Sequence, residues 1–135
     1  MKKILLLLII LFSSLVFAVD EKHEKLAQKA NTCAAYFATT AICFNNTKGS
    51  ENLALQSYTL YESFLDISKY YYKKSIPTRS NKMLENLAVL NSTNEAEDMM
   101  KNMENDCGNI SIIIIPHGKS CVAFYKEAVN EKIVK

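Results

Sequence analysis

An all-α fold is predicted for this chain of 135 residues, in the form of a four- or five-helix disulfide-stapled bundle behind a cleaved signal peptide. Three observations predict it. Apolar residues recur in steps of three and four along most of the chain, which is the period of one helix face. Only 3 Gly and 2 Pro are present, leaving few turns and favouring a handful of long helices over a many-stranded sheet. Four cysteines follow an export signal, an even set suited to two disulfides. With 49% apolar and 22% charged residues the composition is that of one globular domain, assigned to residues 19–135, and excludes a collagenous or low-complexity chain.

Residues 1–18 read as the signal peptide. Lys2 and Lys3 give a positive start, residues 4–12 carry no polar side chain, and Val16-Phe17-Ala18 places small residues where a signal peptidase cuts. Cleavage is expected after Ala18. The apolar stretch falls short of the roughly 20 residues that span a bilayer, so no integral membrane span is expected after cleavage. The expected location is periplasmic or secreted. Sixteen basic residues less Lys2 and Lys3 leave fourteen, equal to the fourteen acidic residues. A neutral chain without a basic stripe argues against nucleic acid as a partner.

The first helix is expected over 21–44, with Leu26, Ala30, Cys33, Phe37, Ala41 and Phe44 on one face. Asp20, Glu21 and Glu24 suit its N-terminal dipole, and residues 45–49 end it. Ser50 is placed to cap a second helix whose seam is Leu53, Ser57, Leu60, Phe64, Ile67 and Tyr71. Ile76-Pro77 stops that helix. A third segment follows Ser80, with Met83, Leu84, Leu87 and Leu90 on one side. Asn91-Ser92-Thr93-Asn94 reads as an interruption, with Ser92 and Glu95 at capping-box spacing for a fourth helix that Gly108 would end. The final helix is expected from about Ser120, turning Cys121, Phe124, Tyr125 and Ala128 inward.

Helix geometry limits how Cys33, Cys43, Cys107 and Cys121 can pair. Within one helix, Cys33 and Cys43 would lie about 15 Å apart along the axis, at 1.5 Å per residue. A disulfide needs Cα atoms within roughly 7 Å. Each early cysteine must therefore reach a late one. The nested arrangement, Cys33–Cys121 with Cys43–Cys107, suits antiparallel helices, and the crossed pairing remains open. Metal binding by Cys107, His117 and Cys121 lacks a closely spaced ligand pair. A reactive Cys121 at a helix start is weaker than a structural disulfide there.

No catalytic constellation emerges, and no cofactor is expected. His23 falls in a charged first turn, and His117 in the turn expected at Pro116-His117-Gly118; neither has a nucleophile at a recognisable spacing. Glu62 and Asp66 lie one helical turn apart but off the apolar seam, as an exposed acidic face. Met99, Met100 and Met103 have the helical spacing of flexible core filler. Tyr58, Tyr61, Tyr70 and Tyr72 exceed what one core needs, and tyrosine is enriched at binding hot spots. Apart from Ser111, residues 110–115 are β-branched, and the uncharged run reads as extended structure; Ile112, Ile113 and Ile114 plug one end of the bundle, simply continue a helix, or offer an apolar patch to a partner. These seven residues form the candidate partner surface.

The segments Cys33-Ala34-Ala35-Tyr36-Phe37 and 109–121, ending Gly118-Lys119-Ser120-Cys121, resemble short exported helical cysteine-containing proteins of bacteria and their phages. That group has no assigned function. The resemblance covers the first and last helices, is compatible with disulfides between early and late cysteines, and implies no activity and no catalytic residue. The expected role is non-enzymatic: binding of an unidentified envelope or extracellular protein, as an inhibitor, immunity or adaptor protein. The alternative is a binder of a small apolar ligand or lipid within the bundle.

Overall fold

A computed structural model describes residues 20–135, so the expected signal peptide at 1–18 lies outside the described residues. The described chain forms four α-helices and one short 3-10 turn, with no strand among the described residues. Helix α1 is Glu21–Asn45, α2 Glu51–Ser75, α3 Asn81–Asn102 and α4 Ser111–Asn130, with the 3-10 turn at Cys107–Asn109.

Local chemistry sets most of the boundaries. Asp20 caps α1 by accepting from the His23 N–H at 3.3 Å, while its second oxygen meets His23 Nδ1 at 2.6 Å. Those bonds hold the Asp20 carboxyl below the ordinary carboxylate range. Ser50 makes no side-chain cap; Gly49, at φ 86, turns the chain and donates instead to the Glu51 carboxylate at 3.2 Å. Pro77 keeps Ile76 out of the helical region, at φ −131, and α2 stops. Ser80 caps α3 by accepting from the Met83 N–H at 3.2 Å.

Three expectations are corrected here. The interruption at 91–94 does not exist, because α3 runs unbroken through it. Ser92 is buried and donates back to the Ala88 and Val89 carbonyls at 2.8 and 3.0 Å, so the helix absorbs the hydroxyl. Gly108 does not end the helix. Glu104 and Asn105 do, both left-handed at φ 57 and 56, with the Asn105 N–H donating to the Met100 carbonyl at 2.8 Å. The last helix starts at Ser111 and carries Pro116, His117 and Gly118 inside it, so the expected turn there is helical.

The bundle is built around α1. Cys33, Ala34, Ala35, Tyr36 and Phe37 are all buried, and five consecutive residues at 100° each cover more than a full turn. One apolar face was expected for α1; it is enclosed by α2, α3 and α4 on several sides. Ala27, Ala30, Ala34 and Ala35 suit that position, since small side chains let neighbouring helices approach. An aromatic run crosses the core from Phe37 to Phe64 at 5.7 Å and on to Phe124 at 6.0 Å, joining α1, α2 and α4.

The disulfides are Cys33–Cys121 and Cys43–Cys107, with Cα atoms 5.4 and 5.3 Å apart. This is the nested pairing. As α1 advances from Cys33 to Cys43 its partners retreat from Cys121 to Cys107, so α4 runs antiparallel to α1. No helix among the described residues is long and apolar enough to cross a membrane.

Candidate functional site

The tyrosines expected on one surface divide among three environments. Tyr58 is half exposed and Tyr61 partly buried, with ring centroids 5.9 Å apart on the first half of α2. Burial, then the charges of Tyr58 and Glu62, raise the Tyr61 phenol above the ordinary tyrosine value. Tyr70 lies at the opposite end of α2, partly exposed, with its edge against Tyr71 at 5.2 Å and Lys74 5.0 Å from its ring. Tyr72 is buried and cannot form part of a surface: its hydroxyl accepts from Asn31 and Asn91 at 2.8 and 2.7 Å. A tyrosine at helical spacing reads as surface or core alike until the opposing helices are known.

The isoleucines divide as well. Ile113 is buried and packs α4 onto the core, whereas Ile112 and Ile114 are exposed. Helical periodicity explains this, since adjacent residues point 100° apart and only one of three can face inward.

The apolar surface that the fold does assemble lies where α1 ends, α2 begins and α3 ends. Two adjoining clefts share Ala38, Ile42 and Tyr61. One, of about 560 Å³, lies between α1 and α2 and adds Ala54, Leu55 and Tyr58. The other, of about 500 Å³, lies between α1 and α3 and adds Ala96 and Met100. Both are open to solvent. Ile42, Leu55 and Tyr58 around them are 49%, 65% and 50% exposed, high for large apolar side chains on a folded domain. Ile42 and Leu55 were not anticipated. Their signal was present as apolar residues left over once each helix seam had been assigned.

Three charged groups stand in the walls. Glu51 faces the α1–α2 cleft, its carboxyl held below the usual range by its own backbone N–H and that of Gly49. Glu97 faces the α1–α3 cleft, with Lys101 beside it. Lys101 already pairs with Asp98 at 3.3 Å. The Cys43–Cys107 disulfide braces this same end, tying the last turns of α1 to the segment after α3.

A larger cleft of about 730 Å³ lies between α2, the start of α3 and the chain's last residues; charged side chains, the Glu62 and Asp66 pair among them, line it together with Tyr70, Ile133 and Val134. Asp66 is engaged by Lys69 at 2.7 Å. His23 stacks on Tyr71 at 6.0 Å besides meeting Asp20. His117 is partly buried 6.3 Å from the Tyr36 ring. All four cysteines are consumed in disulfides, which leaves Cys121 without a nucleophilic thiolate and Cys107 without a metal-ligating one. Among the described residues no group of three His, Cys, Asp or Glu is placed to hold a metal ion. Met99 and Met103 are core, and Met100 alone reaches the groove. No protein family, curated protein or solved structure matches this chain.

Proposed function

We propose that this chain is an exported, non-enzymatic binding module that engages a protein partner through the double groove around Ile42. The observation that carries this is the cluster of Ile42, Leu55 and Tyr58, exposed together around two adjoining, largely apolar clefts. Exposed singly, such side chains need no explanation; collected on one concave surface they mark an interaction site. Full burial of such a side chain from water is worth about 1.5 to 3 kcal/mol, and these three, half to two-thirds exposed, each retain about 1 to 2 kcal/mol of that for a partner. Because the clefts open outward, they suit a protein surface better than an enclosed small ligand. Two disulfides and the lack of a membrane-crossing helix among the described residues are compatible with an oxidising, exported location.

A photo-cross-linking amino acid substituted at Tyr58 tests this in the cells that export the protein. The expected result is one discrete adduct from position 58 and none from Lys82, which is exposed at the other end of α3. No adduct at 58 sinks the proposal. The intact mass of the exported protein, before and after reduction and alkylation, tests the rest: loss of residues 1–18, and four thiols that alkylate only once reduced.

A further inference from the structure

The equal numbers of basic and acidic side chains in residues 20–135, fourteen of each, conceal a separation of charge between the ends of the bundle. Along the last turns of α3 and the connection after it stand Glu95, Glu97, Asp98, Glu104 and Asp106, with Lys101 as the only cation between them. Glu51 adds to them from the start of α2, with Lys48 in the turn before it as a second cation. Neither Glu51 nor Glu97 pairs with a lysine or arginine among the described residues. The opposite end, around the turn between α2 and α3, carries Lys73, Lys74, Arg79 and Lys82, which outnumber Glu85, Glu127 and Glu131 beside them. Lys73 spends its ammonium on the Pro77 and Arg79 carbonyls, which gathers this cationic end. The apolar groove thus lies at the acidic end, with a carboxylate in each wall that makes no ion pair among the described residues.

We infer that the groove takes a basic amphipathic helix of the partner, an inference that rests on the protein-binding function proposed above. The groove's floor and walls include Ala38, Ala41, Ala54 and Ala96. Small residues there let a helix axis settle close to α1, within the usual packing range of roughly 8 to 10 Å. Leu55, Tyr58 and Met100 rise on either side and grip large side chains spaced i, i+3, i+4 and i+7 on the incoming helix, the pattern of helix-in-groove recognition. Lysine or arginine flanking that apolar stripe meets Glu51 on one wall and Glu97 on the other. The acidic end also repels an acidic helix of the same shape, so charge selects among partners that the groove alone would admit. A second copy of this chain is a poorer occupant, because its cationic end is the turn between two helices and presents no free helix.

Two fluorescently labelled model peptides of about 18 residues test this, both with the same leucine stripe, one flanked by lysines and one by glutamates. Binding is followed by anisotropy with the oxidised protein. The lysine peptide is expected to saturate the protein and bind at least about tenfold tighter than the glutamate peptide at low salt, the margin shrinking as salt screens the charges. Leu55→Ser and Tyr58→Ser, both at exposed positions, should each weaken that binding, and the double change E51K/E97K should reverse the preference. Equal affinity for both peptides overturns the inference, as does binding indifferent to Leu55→Ser and Tyr58→Ser. If neither peptide binds while the cross-linker at position 58 still captures one protein, the helical occupant is wrong and the binding function stands. Loss of both signals removes both.

Discussion

The side-chain amide of Asn31 donates to the hydroxyl of Tyr72 at 2.8 Å, across 41 residues of sequence. Asn91 donates to the same oxygen at 2.7 Å, and Ser68 to the Asn31 carbonyl oxygen at 2.6 Å. One phenol oxygen therefore joins α1, α2 and α3 where most neighbours are apolar. Tyr72→Phe keeps the ring and leaves both amide donors without that acceptor. The expected loss is about 1 to 3 kcal/mol, read as a lower urea midpoint at unchanged slope. An unchanged midpoint would mean that the network adds nothing to stability.

The two disulfides should fail differently. They close separations of 88 and 64 residues, and chain entropy credits each with about 4 to 5 kcal/mol. Inside α4 the buried residues are Ile113, Cys121, Phe124 and Ala128, so one of its four anchors is the bond to Cys33. Replacing Cys33 and Cys121 together by Ser should raise amide exchange in α4 while α1, α2 and α3 keep their protection. Replacing Cys43 and Cys107 should instead loosen the groove end, around residues 103–110. Uniform loss of protection in both variants contradicts this division.

Alkali should unfold the protein through its buried phenols. Burial and then the Glu131 carboxylate, to which the Tyr71 hydroxyl donates at 3.3 Å, push the Tyr71 ionisation up to about 12 from the ordinary 10.0. Burial raises Tyr36 in the same sense. A value raised in the folded state means that this contribution is complete below pH 10 and is lost as pH climbs towards 12. Tyrosinate absorbance should therefore show a late fraction that titrates together with loss of helix. Glu131→Gln should bring part of that fraction to lower pH. One transition at the ordinary tyrosine value, with the helices intact, contradicts the assignment.

Pro116 lies inside α4 on its exposed side. It has no N–H to offer the carbonyl one turn back, and a helix-interior proline costs up to about 3 kcal/mol. Pro116→Ala is expected to raise stability by about 1 to 3 kcal/mol in thermal unfolding. A fall would mean that Pro116 stabilises the helix between the buried Ile113 and Cys121 by more than its missing N–H costs.

Much of the fold was legible residue by residue, and its failures share a cause. Helix α1 was expected to end at Phe44 and ends at Asn45, because the acidic first turn and the Asn-Asn-Thr-Lys-Gly exit are local signals. Ser50 reads as a cap and makes no cap bond, whereas Ser80, read only as the residue before the third segment, is one. Asn91-Ser92-Thr93-Asn94 reads as a break by intrinsic preference, yet burial of Ser92 and the Asn91–Tyr72 bond hold it helical. Pro116-His117-Gly118 reads as a turn, yet Ile113 and Cys121, both buried, pin the helix on either side of it. In each case contacts from distant residues outweighed a local preference worth less than they are.

The groove shows the same limit. Leu55 and Tyr58 could be read as apolar residues off the α2 seam, but nothing near them in sequence announces Ile42, Ala96 and Met100 as their neighbours. The sequence by itself determined the helical class, the extents of α1 and α2, and the impossibility of joining Cys33 to Cys43, since periodicity, caps and helical rise are written in adjacent residues. Only the tertiary structure decided that α1 is enclosed, that Tyr72 and Ile113 are core, that Cys33 takes Cys121, and that acidic side chains gather around an apolar groove at one end of the bundle. Those outcomes depend on which faces meet across dozens of residues, and packing free energy, unlike helix propensity, is a property of the pair.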